Sequence, residues 1–156
     1  MSPQAPVVII GSGQSGGRAA EALRQGGHTG RITLIGAELH APYERPALSK
    51  EFLSSAATEK LAWVRPHGWY SQAAITTLHG RRAVRIDQAR NVVELDEGAP
   101  VEYQALILTT GARPRQLTVE GAGHPLVSYL RTIEDSQRLQ RQIGRASCRE
   151  RVCLAV

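Results

Sequence analysis

The fold follows from one short segment near the start of the chain, Val7-Val8-Ile9-Ile10-Gly11-Ser12-Gly13-Gln14-Ser15-Gly16. Its first four residues are apolar and β-branched, as is typical of a short, buried parallel strand. The next six match the pattern G-x-G-x-x-G, and small or helix-favouring residues continue to Arg24. The order strand, glycine turn, helix is the context in which this pattern has a physical meaning.

The glycines predict a binding site for the diphosphate of a dinucleotide. Gly11 permits a tight turn, Gly13 lets the backbone approach the diphosphate, and Gly16 allows close packing of the helix on the strand. Free N–H groups at the start of the helix, Ser15 among its first residues, attract the negative charge. The alternative is a glycine-rich turn that binds nothing.

An acidic residue about 20 positions after the glycines is expected to bind the adenosine ribose. A second strand is predicted at Arg31–Ile35, and Glu38 is the nearest carboxylate after it. Glu38 is therefore the candidate ribose ligand, with an ordinary surface carboxylate as the alternative.

The remaining pattern predicts an α/β fold, a Rossmann-like domain with a parallel sheet and an antiparallel β-meander. A loop is expected from Gly36 to Ala47. Pro66 is expected to open a short helix that leads to Ile75. A further short helix is predicted at Ser49–Leu53. Short strands are predicted at Ala83–Asp87, Val92–Leu95, Val101–Tyr103 and Ala105–Thr109, and a capping box at Thr132–Asp135 opens a last helix.

Composition argues against several classes of function. The 19 basic residues exceed the 14 acidic ones but are spread along the chain, so we expect no nucleic-acid partner. No apolar run approaches the 18 or so residues of a membrane span, and no signal peptide is evident, which predicts a cytoplasmic protein. Both cysteines, Cys148 and Cys153, lie near the end, and the histidines show no metal-ligand spacing, so we expect no metal site.

Three further segments carry a resemblance to a known family. Ala41 to Lys50 reads A-P-Y-E-R-P-A-L-S-K and closely resembles the P-Y-x-R-P-P-L-S-K signature of oxygenase-coupled ferredoxin and rubredoxin reductases. Thr109–Arg115 resembles their A-T-G-x-x-P-R segment, and Tyr129–Thr132 their Y-L-R-T segment. The chain is thus similar to FAD-dependent enzymes of the pyridine nucleotide-disulfide oxidoreductase superfamily, in register from Val7 to about Gln142.

The resemblance implies FAD as the cofactor and assigns residues to it. Arg45 would approach the adenine-ribose and diphosphate side, Lys50 would lie beside the isoalloxazine ring as the catalytic residue, and Arg131 would help close the site. A surface ion pair is the alternative for Lys50. Ala83, Thr110 and Gly111 complete the expected FAD contacts. The chain departs from the family pattern at Ala47, where a second proline is usual, and at Ala37, where an acidic residue is common.

The resemblance also implies the reaction, in which electrons pass from NADH through FAD to a ferredoxin- or rubredoxin-type iron–sulfur protein. NAD(P)H is the co-substrate, and its own glycine motif is expected beyond the present sequence. Three alternatives remain: an NAD-binding dehydrogenase domain, a non-catalytic dinucleotide-binding module, and an NAD(P)H reductase whose acceptor is a nitrite reductase or a quinone.

The sequence changes character at Ile143. Residues 1–142 are predicted to be the N-terminal part of an FAD-binding domain that runs into the start of an NAD-binding region. Residues 143–156 begin I-G-R-A-S-C-R-E-R-V, which resembles a translated short-read sequencing adapter, so we expect a non-native tail. The fold is therefore expected to be incomplete, and an exposed sheet edge predicts poor solubility or weak FAD binding.

Overall fold

The computed structural model describes residues 5–55, 63–66, 68–145 and 153–155. It divides the chain into two compact units, Met1–Tyr43 with Trp63–Gly111, and Glu44–Ala62 with Ala112–Val156. The elements follow in the order β1 (Val7–Ile10), α1 (Gln14–Gln25), β2 (Ile32–Gly36), a 3-10 helix (Arg45–Ser49), α2 (Glu51–Ser55), α3 (Trp69–Gln72), β3 (Ile75–His79), β4 (Ala83–Asp87), β5 (Val92–Leu95), β6 (Val101–Glu102), β7 (Ala105–Leu108), β8 (Val127–Tyr129), α4 (Ile133–Arg145) and β9 (Cys153–Ala155).

A four-stranded parallel sheet is the centre of the first unit, with strand order β3-β2-β1-β7. Val7 pairs with Ile32 on one side and with Ala105 on the other. Every residue of β1 and β2 is buried, as expected for strands that are covered on both faces. The predicted β-α-β unit is confirmed.

Both faces of this sheet contribute to a hydrophobic core. Because side chains alternate along a strand, Val7 and Ile9 lie in one cluster, with Ala20 of α1, while Val8 and Ile10 lie in a second. The second cluster includes Val93 of β5. Strands β4, β5 and β6 form a separate antiparallel sheet, so the predicted β-meander is confirmed.

Arg24 secures the end of α1. Its guanidinium donates hydrogen bonds of 2.6–2.8 Å to four backbone carbonyls, those of His28, Gly30, Ala73 and Ala74. These carbonyls lie outside the helices and strands, and a cation in the last turn of a helix is favourable. The connection into β2 and the turn before β3 are thereby held by one side chain.

The second unit packs α4 against the 3-10 helix and α2. Leu48, Phe52, Ile133 and Leu139 are its largest fully buried side chains. The hydroxyl of Ser136, itself buried, donates to the carbonyl of Leu48 over 2.8 Å. These contacts fix the segment that follows Tyr43 in sequence.

The predicted capping box of the last helix is confirmed. The N–H of Thr132 donates to Oδ2 of Asp135 over 2.9 Å, and the N–H of Asp135 donates to the Thr132 hydroxyl over 3.2 Å. The N–H of Arg131 also donates to Asp135 Oδ2, over 3.0 Å. The start of α4 thus satisfies backbone donors that would otherwise lack partners.

Two sequence predictions are wrong. The helix expected from Pro66 begins instead at Trp69, after Gly68 at φ +81°, and Ile75 starts strand β3. The Gly36–Ala47 loop was expected to continue without a helix, whereas a 3-10 helix starts at Arg45. Strand β8 was not foreseen either, and its backbone pairs in parallel with β9.

Cys148 lies outside the described residues, and the non-native origin of residues 143–156 stays a prediction.

Candidate dinucleotide-binding site

Two glycines of the fingerprint are required by close backbone contacts. Gly11 has φ +111°, and a Cβ atom there would overlap with the carbonyl oxygen of Thr109. A Cβ atom on Gly16 would overlap with the carbonyl oxygen of Gly11. The sequence predicted a tight turn at Gly11 and close packing of the helix on the strand at Gly16, and these contacts have that geometry.

Gly13 differs from both, because open space surrounds the position of its missing Cβ. It is the N-cap of α1, at φ −80°, with no side-chain cap. The first N–H groups of a helix have no partners within it, and Gln14 and Ser15 are exposed. Open space, uncapped donors and a positive helix end are what an anionic diphosphate requires.

The strand order places this turn at a reversal of the sheet. The chain runs outward from β1 through β2 to β3, and β7 then adds to the other side of β1. Ligands of open α/β sheets bind at the carboxyl ends of the strands at such a point. The glycine turn follows β1, and Thr110 and Gly111 follow β7, where both are exposed.

Thr109 contacts the glycine turn, and the sequence did not single it out. Its hydroxyl donates to the carbonyls of Gly11, over 2.8 Å, and Ile10, over 3.1 Å. Thr109 therefore connects the end of β7 to the glycine turn. In the sequence this threonine stands only as the first residue of the segment Thr109–Arg115. A contact between residues so distant in sequence leaves no local pattern that could predict it.

Glu38 follows β2 and is held by hydrogen bonds. Tyr43 donates from its phenolic oxygen to Glu38 Oε2 over 2.5 Å, and the N–H of Gly80 donates to the Glu38 carbonyl over 3.0 Å. Ala37 is exposed, whereas Glu38 is half-buried. Ala83 starts β4 and packs against the cluster that contains Val8.

The second unit brings together two of its three predicted FAD residues. The guanidinium of Arg45 donates to the backbone carbonyl of Arg131. Arg131 precedes α4, and Arg45 starts the 3-10 helix. Lys50 is the C-cap residue of that helix and is exposed. The two signature segments that carry Arg45 and Arg131 therefore meet in space.

Ion pairs to a buried carboxylate support the helix that presents the glycine turn. Glu21 of α1 is buried and accepts hydrogen bonds from Arg65 and, over 3.0 Å, from Arg18. The hydrogen bond with Arg65 is the main cause that lowers the pKa of Glu21. Arg65 also lies over the ring of Trp69, 5.3 Å from its centroid. No sequence signal predicted this cluster.

Gly17, next to the fingerprint, is a further residue that the pattern does not include. A Cβ atom there would lie 2.7 Å from Cβ of Pro42 and 2.8 Å from the phenolic oxygen of Tyr70. Helix α1 can therefore approach the start of the signature segment only with glycine at this position.

Within the described ranges, no group of three His, Cys, Asp or Glu residues could hold a metal ion, and no helix is long and apolar enough to cross a membrane.

Comparison with known proteins gives one consistent result. The family model described as pyridine nucleotide-disulphide oxidoreductase matches residues 5–154. Rhodocoxin reductase of Rhodococcus erythropolis is 45% identical over 142 residues, 91% of this chain and 33% of that protein. Rubredoxin-NAD(+) reductase of Pseudomonas putida is 41% identical over 137 residues, 88% of this chain and 36% of that protein.

A solved structure agrees with this result. The covalent putidaredoxin reductase–putidaredoxin complex contains a chain that superposes with a TM-score of 0.80 at 36% identity, covering 89% of this chain and 34% of that one. The present chain thus spans about a third of the length of the relatives it matches.

Proposed function

Because this chain belongs to the pyridine nucleotide-disulphide oxidoreductase family, we propose that it is the FAD-binding part of an NADH-dependent flavoprotein reductase. The electron acceptor in this proposal is a small iron–sulfur protein of the ferredoxin or rubredoxin type, and the location is the cytoplasm. When bound, FAD would take a hydride from NADH and pass single electrons to that acceptor.

The single observation that carries the proposal is the glycine turn at the start of α1. Gly11 and Gly16 have no space for a side chain, whereas Gly13 faces open space. A glycine-rich turn that bound nothing would not need close backbone contacts at Gly11 and Gly16 together with open space at Gly13. The uncapped start of α1 supplies the donors and the partial positive charge for the diphosphate.

Each predicted site residue has a proposed role. Ser15 and its neighbours in the turn bind the diphosphate, and Glu38 binds the adenosine ribose. Thr110 and Gly111, which follow β7, and Ala83, at the start of β4, contact FAD. In the second unit, Arg45 and Arg131 provide positive charge for the cofactor, and Lys50 provides the cation beside the isoalloxazine ring.

The proposed acceptor is supported by the relatives. Two of them are reductases named for rhodocoxin and rubredoxin, and the matched structure holds a reductase joined to putidaredoxin. Cationic side chains near a flavin favour its anionic reduced form and so favour its reduction by NADH. Lys50, which is exposed, is the residue to which we assign this effect.

Equilibrium dialysis of the purified chain against FAD, FMN and NAD at equal concentrations tests the proposal. We expect FAD to bind weakly, at one per chain, and FMN to bind more weakly still because FMN lacks the adenosine half. Preferential NAD binding would contradict the FAD assignment and favour an ordinary dehydrogenase domain. The acceptor is tested in a reductase that contains this chain, where NADH-dependent reduction of a ferredoxin should exceed reduction of a quinone.

A further inference from the structure

The hydrogen bond from Tyr43 to Glu38 links the signature segment to the candidate ribose ligand. We propose that Tyr43 is a positioning residue, whose hydroxyl holds the Glu38 carboxylate in the orientation that receives the adenosine ribose of FAD. This inference rests on the proposed function, because it requires that Glu38 bind the ribose. It gives a physical reason for a tyrosine in the segment that starts at Pro42.

Tyr43 is itself held in one place. Its side chain is buried, and its ring meets the ring of Trp63 edge to face, with centroids 6.4 Å apart. The backbones of Tyr43 and Trp63 form an antiparallel bridge, and the N–H of Val64 donates to the Pro42 carbonyl over 2.9 Å. The phenolic oxygen is therefore presented from a fixed backbone and a fixed ring.

The backbone of Glu38 is also fixed. The N–H of Gly80 donates to the Glu38 carbonyl over 3.0 Å, and the N–H of Arg81 donates to the Gly36 carbonyl over 2.9 Å. Both bonds tie the segment after β2 to the segment after β3. A glutamate loses considerable rotamer freedom when it is ordered, and a hydrogen bond to its carboxylate supplies that order before a ligand binds.

The position of this carboxylate fits the adenosine side of the diphosphate site. A Cβ atom on Gly36 would overlap with the side chain of Ser12, so the glycine turn touches the end of β2. Glu38 lies two residues further along. Because the adenosine ribose is joined directly to the diphosphate, a ribose ligand belongs next to the turn. A carboxylate accepts about four hydrogen bonds, so accepting one from Tyr43 is compatible with binding ribose hydroxyls.

Four forms of the chain test the inference by titration with FAD: the parent, Tyr43→Phe, Glu38→Ala and the double variant. Tyr43→Phe keeps the ring against Trp63 and removes only the hydroxyl. We expect it to weaken FAD binding about three- to tenfold, and to have little further effect once Glu38 is alanine. Tyr103→Phe, which removes a phenolic hydroxyl from the second cluster of the core, is the matched control and should bind like the parent.

An FAD analogue with 2′-deoxyadenosine separates positioning from packing. If Tyr43 acts through Glu38 on the ribose, Tyr43→Phe should weaken binding of this analogue less than it weakens binding of FAD. An equal loss for both ligands, or an equal loss with and without Glu38, would overturn the positioning role. Unchanged FAD affinity in Glu38→Ala would overturn the ribose role and the inference together. A parent chain that does not bind FAD would instead overturn the proposed function.

Discussion

The Thr109 hydroxyl donates a hydrogen bond of 2.8 Å to the carbonyl oxygen of Gly11, which lies 98 positions earlier in the chain. The carbonyl of Thr109 in turn occupies the space that a Cβ atom on Gly11 would need. The end of β7 and the glycine turn are therefore shaped by each other. The geometry of the proposed diphosphate site depends on a strand pairing and not on the fingerprint alone.

Replacing Thr109 with valine should loosen this turn. The variant keeps the branched shape but loses the donor, and we expect a stability loss of about 1 kcal/mol, together with weaker FAD binding. Thr109→Ser, which keeps the hydroxyl, is the control and should lose less. Urea unfolding measures the difference, and equal stability of the valine and serine variants would contradict the role of the hydroxyl.

Alanine substitutions should affect Gly16 and Gly13 differently. Gly16→Ala places a Cβ atom against the Gly11 carbonyl and should cost about 1–3 kcal/mol or prevent folding. Gly13→Ala places its Cβ atom in open space at φ −80°, so the variant should fold and should lose only the preference of an N-cap for glycine over alanine. Thermal unfolding followed by circular dichroism compares them, and similar melting temperatures for both variants would rule out the close approach at Gly16.

Acid should destabilise the first unit through Glu21. Because the hydrogen bond with Arg65 lowers the pKa of Glu21 below 4.5 in the folded chain, its contribution is present above pH 4.5 and is lost as the pH falls through the lowered value. Glu21→Gln should therefore unfold at a lower temperature than the parent at pH 7, and the gap should narrow below pH 4.5. Glu120→Gln, which removes one exposed carboxylate, should show no such convergence.

The start of α4 should depend on Asp135. Asp135→Ala removes the acceptor for the N–H groups of Arg131 and Thr132 and should destabilise the chain by about 0.5–2 kcal/mol. Asp135→Asn retains a side-chain oxygen and should lose less. Chemical unfolding is the measurement, and an alanine variant as stable as the parent would show that this capping box contributes nothing.

Local patterns predicted the parts of the fold whose causes are local. The strand Val7–Ile10, the glycine turn and the capping box at Thr132 each depend on residues within a few positions of one another. Strand β3 was missed because Ile75 and Leu78 are its only large apolar residues, and most of the strand is only half-buried at the edge of the sheet. A partly exposed edge strand lacks the continuous apolar run that marked β1.

In the candidate site, too, the sequence predicted the residues that belong to local motifs and missed those whose partners are distant in sequence. The fingerprint and the signature segment named Gly11, Gly16 and Arg45, whose close contacts the structure describes. Thr109 and Gly17 were missed because their partners are distant in sequence and only the folded sheet brings them together. Tyr43 belongs to the signature segment, but its hydrogen bond to Glu38 could not be predicted, because it depends on the path of the loop after β2.

Titration of FAD into the parent chain and into Gly13→Ala, followed by quenching of flavin fluorescence, is the first measurement to make. We expect saturable binding of one FAD per parent chain, at least tenfold weaker in the variant, while circular dichroism shows that both chains are folded. Equal FAD affinity in two folded chains would overturn the proposed site, because the open space at Gly13 would then have no part in holding the diphosphate.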